Sequence, residues 1–99
     1  MFGPIGHVRI KDGHESALTD LMDEWRVSIR PRVPGTFLNL FGRSVDRPGE
    51  AVFVALAEDE PTYRTLADMP EQDAWYRRLL DHIEAEPDWE DVELEYRQD

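Results

Sequence analysis

Thr36-Phe37-Leu38-Asn39-Leu40-Phe41-Gly42-Arg43-Ser44 and Ala51-Val52-Phe53-Val54-Ala55-Leu56-Ala57, joined through Asp46-Arg47-Pro48-Gly49, are the stretches whose reading decides the fold. Asp, Pro and Gly together are the residues of a turn, and an extended run on either side of so short a connection predicts a β-hairpin. In the first run Phe37, Asn39 and Phe41 share one side while Leu38, Leu40 and Gly42 share the other. The second run is apolar at every position, the mark of a strand that needs cover on both faces.

Upstream, Pro4 to Ile10 alternates Gly6, Val8 and Ile10 with Ile5, His7 and Arg9, which predicts a short first strand. Asp12 is placed to cap the following helix, and Glu15, three positions later, to complete a capping box. Leu18, Leu21, Met22, Trp25 and Ile29 then form one apolar helical stripe, which Pro31 and Pro34-Gly35 terminate. Downstream, Glu58-Asp59-Glu60-Pro61 is a helix start, with the helix running to about Met69. Pro70 restarts or bends it, and Tyr76, Leu79, Leu80 and Ile83 form the inward stripe of a further helix to about Ala85. Val92, Leu94 and Tyr96 alternate with Asp91, Glu93, Glu95 and Arg97 as a last strand with one face wet.

The order strand, helix, strand, strand, helix, strand predicts one α+β domain over residues 1–99, a ferredoxin-like βαββαβ arrangement with both helical segments on one face of a four-stranded antiparallel sheet. The other face is left bare although strand three is apolar toward it. An apolar patch of that size marks an interface, so a homodimer through the open sheet face is expected; the alternative is that the C-terminal segment or the Met1-Phe2 end folds over it.

Composition narrows the chemistry. A net charge of −11, from 22 acidic against 11 basic residues, opposes a nucleic-acid partner. No window is apolar enough to span a membrane, and Met1-Phe2-Gly3-Pro4 does not open a signal sequence, so a cytoplasmic protein is expected. Without cysteine there is no disulfide, thiol nucleophile or thiolate metal site. His7 is the weak candidate for a catalytic base. His14, in a first helical turn, and His82, beyond a core stripe, do not converge with it, so no metal site is expected. The acidic runs read as solvated charge. Asn39, between Phe37 and Phe41, needs hydrogen bonds if its face is buried. Trp25, Tyr63, Trp75 and Tyr76 are placed to line an apolar pocket between sheet and helices, with a packing role as the competing reading.

Several of these segments, in order, resemble the antibiotic biosynthesis monooxygenase (ABM) family. They are Lys11-Asp12-Gly13-His14-Glu15 opening a helix, Pro34-Gly35-Thr36-Phe37 opening a strand, Arg43 to Glu50 leading into Val52-Phe53-Val54, and Glu58-Asp59-Glu60-Pro61-Thr62-Tyr63-Arg64. The likeness spans about Pro4 to Tyr96 and implies a dimeric α/β barrel. It also implies a cofactor-independent monooxygenase acting on a small aromatic or quinol-type substrate, with Trp25, Asn39, Tyr63, Trp75 and Tyr76 around it. A non-enzymatic small-ligand-binding or assembly domain is the alternative. The superfamily's haem-degrading branch carries an asparagine, a tryptophan and a histidine at places held here by Gly6, Leu66 and Tyr76. That branch is the minor alternative.

Overall fold

The computed structural model describes residues 1–99. Strands β1 (Phe2–Arg9), β2 (Phe37–Arg43), β3 (Glu50–Ala57) and β4 (Asp88–Glu93) form one antiparallel sheet in the order β2-β3-β1-β4. Helices α1 (Glu15–Ser28), α2 (Glu60–Ala67) and α3 (Pro70–Leu80) complete the ferredoxin-like α+β order. No helix is long and apolar enough to cross a membrane.

The register fixes which side chains meet. Phe37, Asn39 and Phe41 stand opposite Ala57, Ala55 and Phe53, and Phe2, Pro4 and Gly6 continue those rows on β1. These residues face the helices. Leu38 and Leu40 stand opposite Leu56 and Val54 on the other face, with Ile5 beyond Val54 and His7 opposite Val52. Along α1 the stripe buries Leu18, Leu21 and Trp25, and Ile29 at its end is buried too. One core cluster joins Val8, Ile10, Leu18, Leu21, Ala51, Phe53, Leu79 and Ile83; a second joins Trp25, Ile29, Val33 and Leu66.

Four local expectations are corrected. The capping box does not form: Gly13, at φ +80°, turns the chain so that His14 becomes the cap of α1, and it makes no side-chain capping bond. A positive φ of this kind suits glycine, and the turn leaves Asp12 outside the helix. By contrast Asp59 caps α2, accepting a hydrogen bond from the Thr62 N–H at 2.9 Å, with Pro61 in the first turn.

The last helix ends at Leu80 rather than near Ala85. Beyond Asp81 the backbone finds partners in β1 and the loop after it: Lys11 N–H donates to His82 O, Glu84 N–H donates to Arg9 O, and Ile83 bridges Ile10. These bonds satisfy the backbone as well as another helical turn would and bury Ile83 in the sheet's core, so the helix gives way. The first strand begins at Phe2, two residues before Pro4. The last strand is displaced toward the N-terminus, so Tyr96 lies outside it and is 78% exposed.

Candidate functional site

A cavity of about 340 Å³ lies between the helix-facing side of the sheet and the three helices. Its walls take Phe53 and Leu79 from one core cluster and Trp25 and Leu66 from the other. Trp25, Asn39, Tyr63, Trp75 and Tyr76 all line it, brought there from α1, β2, α2 and α3. The volume and mostly apolar lining are those of a small-molecule pocket.

Trp25 and Trp75 serve as walls, their indole N–H groups donating to other parts of the protein. Trp25 Nε1 donates to Gln72 Oε1 at 2.7 Å, and Trp75 Nε1 donates to Leu21 O at 2.8 Å. Each bond joins α3 to α1, so satisfying the indoles also ties down the roof of the cavity. Their N–H groups are spent within the protein.

Asn39 and Tyr63 are different. Neither side chain hydrogen-bonds within the protein although both residues line the cavity, and no fully buried polar side-chain atom lacks a partner, so their amide and hydroxyl retain some exposure. Burial pushes the Tyr63 phenol above its ordinary value, and the nearby Asp91 carboxylate and Tyr76 add to this while Arg64 opposes it. Tyr63 therefore stays protonated and able to donate near neutral pH. Arg64 sits over the Tyr63 and Phe2 rings at 5.5 and 5.4 Å and reaches Asp91 at 3.8 Å.

His7 is exposed on the opposite face of the sheet and does not reach this cavity. His14 and His82, apart from it as expected, meet each other: their Nδ1 atoms are 2.9 Å apart, with one ring donating and the other accepting. Periodicity could not show this contact, because 68 residues separate the two. No group of three metal-ligating residues exists.

Trp89 is a wall residue that sequence reasoning missed, as is Asp91, which reads with the acidic runs as solvated charge. Trp89 stands opposite Gly6 across β1 and β4, and its ring occupies the place of a side chain there: a Cβ on Gly6 would lie 2.2 Å from it. Trp89 Nε1 donates to Tyr76 Oη at 2.8 Å. A glycine in mid-strand marks such a close approach, and that signal was present at Gly6.

These contacts also bear on haem. Tyr76, the would-be iron ligand, has its oxygen engaged by Trp89, and the lining carries Asp73 and Asp91 but no lysine or arginine to receive propionates. The residues do not fit that group.

No family model matches the chain, and no curated protein matches its sequence. Solved structures do match in fold. A proposed antibiotic biosynthesis monooxygenase from Deinococcus radiodurans aligns with a TM-score of 0.75 at 14% identity, over 100% of this chain and 97% of that one. Another from Nitrosomonas europaea gives 0.78 at 14% identity, over 96% and 90%. A conserved protein from Methanosarcina mazei Go1 gives 0.78 at 9% identity, over 92% and 89%. The chain therefore has the fold of solved structures that bear the ABM name, and at these identities the fold is what the likeness carries.

Proposed function

We propose that this chain binds a small planar aromatic molecule in the cavity and, in the most specific form of this reading, oxidises a quinol-type substrate with O2 without a cofactor. The observation that carries the proposal is the apolar cavity whose lining includes Asn39 and Tyr63, side chains unpaired within the protein. Such a site holds a flat ring by its walls and orients it by a few polar contacts. In the reaction, one oxygen atom enters the ring and the other leaves as water, the quinol supplying all four electrons that O2 accepts. The protein's part is to exclude water, fix the ring and receive a proton. With His7 behind the sheet, Asp91 is the lining carboxylate beside Tyr63 that stands in position for that last role.

A second copy docking across the open face belongs to the same proposal. Leu40 is 54% exposed there, and Leu38, Val52, Val54 and Ile5 extend the apolar surface around it. The placement of His7 favours a second reading, a binding domain without catalysis.

Oxygen uptake with model dihydroquinones separates the two. The oxygenase reading expects turnover that survives His7→Ala and falls at least about tenfold in Asp91→Asn. Binding without uptake supports the non-catalytic domain, and failure of every neutral aromatic probe to bind sinks both.

A further inference from the structure

We propose that Trp89 is a specificity-determining residue of the cavity, setting the length of the ligand and making Tyr76 a hydrogen-bond donor toward it; this rests on the cavity's being a ligand site. The spatial half comes from Gly6. The six-membered ring of Trp89 lies over that glycine, its Cζ3, Cε3 and Cη2 atoms within 2.2–2.8 Å of where a Cβ would stand, so β1 contributes no side chain at this position and the indole closes this part of the wall. Phe53 and Tyr76 flank it, with ring centroids 6.3 and 6.1 Å away. The plate belongs to β4, an edge strand whose one strand partner is β1.

The chemical half comes from the bond to Tyr76. A phenol has one O–H to donate and an oxygen that accepts. The Trp89 N–H at 2.8 Å takes the accepting side, which leaves donation as the function Tyr76 offers the cavity. The ligand atom that meets it is then an acceptor, such as a ketone or quinone oxygen. A tryptophan that only filled the space over Gly6 would influence every ligand alike; this one discriminates by length and by the presence of an acceptor.

Equilibrium dialysis with three neutral probes tests both halves: α-tetralone (two rings, one carbonyl), tetralin (the same rings without it) and fluorenone (three rings, one carbonyl). Trp89→Ala is expected to raise the fluorenone-to-tetralone affinity ratio about tenfold by opening the wall. Trp89→Phe keeps an aromatic ring but removes the N–H, and is expected to lower the tetralone-to-tetralin ratio about fivefold as Tyr76 regains its accepting side. Tyr76→Phe should lose a similar factor. If Trp89→Ala does not fold, the Trp89→Phe ratio decides. Wild-type binding with both ratios unchanged in folded variants overturns the assignment of Trp89 alone. If the wild type binds none of the three, the ligand cavity falls and this inference with it.

Discussion

The two faces of the sheet draw on the same strand and meet different fates. Toward the helices β3 presents Ala51, Phe53, Ala55 and Ala57, and the chain covers them with three helices that leave a cavity in the middle. Away from the helices it presents Val52, Val54 and Leu56, as apolar a row; Leu56 is buried within the chain, yet Leu40 beside Val54 remains 54% exposed. Hydrophobicity along a strand thus announces that cover is needed without saying who supplies it. One face gets its cover from this chain, and the proposal of a second copy addresses the other.

The sharpest way to break this contrast is to hollow out each face in turn. Leu79, on the covered side, is 1% exposed, and Leu79→Ala is expected to cost about 2–5 kcal/mol in urea unfolding. Val54→Ala should cost less, about 1 kcal/mol, and its cost should depend on protein concentration if a partner covers it. Equal, concentration-independent losses would mean that the faces do not differ. Next, Leu40→Lys places a charge in the proposed contact and should weaken self-association about a hundredfold in sedimentation analysis, with little change to the folded monomer. A wild-type monomer of 11.6 kDa across the whole concentration range would remove the contrast altogether.

Within the covered face, Asn39→Ala separates function from packing. Because Asn39 has no partner in the protein, its loss should change stability by less than about 0.5 kcal/mol while weakening α-tetralone binding roughly fivefold. A large stability loss with unchanged binding would make it a packing residue. The smallest expected effect lies on the helix surface. A hydrogen bond from Arg78 holds the Glu24 carboxyl below its ordinary value of 4.5, assisted by the Arg78 charge and opposed by partial burial. A depressed carboxylate stabilises the fold above its unfolded-state value, and that contribution is lost as pH falls below 4.5 through the folded-state value. Glu24→Gln should therefore slightly flatten the acid limb of the Tm–pH curve and leave behaviour above pH 6 almost unchanged, since the pair is exposed and worth little.

What could be read from the chain was mostly local. The hairpin followed from Pro48-Gly49 and the apolar run after it, the first helix from its stripe, and the start of α2 from Asp59 and Pro61. Trp25 and Tyr76 could be placed by their helical stripes and Asn39 by its strand face, whereas no periodicity assigned Tyr63 or Trp75 a face. The failures share a cause: long-range contacts overrode local preference. Asp12 and Glu15 have the spacing of a capping box, but Gly13 turns the chain first and His14 finds His82 instead. Helix α3 has residues to continue past Leu80, but the backbones of Arg9 and Lys11 offer other partners. In β4, the alternation of Val92, Leu94 and Tyr96 directed attention to the wrong end of the strand. Trp89 and Asp91 face the cavity because pairing with Gly6 and Pro4 sets the register, and neither pairing is visible within β4 itself.

The three indoles around the cavity have an optical consequence. They are the chain's only tryptophans, so its indole fluorescence originates entirely from residues lining one pocket, on α1, α3 and β4. No surface indole dilutes the signal. The emission spectrum of the unlabelled protein is consequently a readout of that space alone: its wavelength follows how wet the pocket is, and energy transfer to an absorbing guest follows its arrival there.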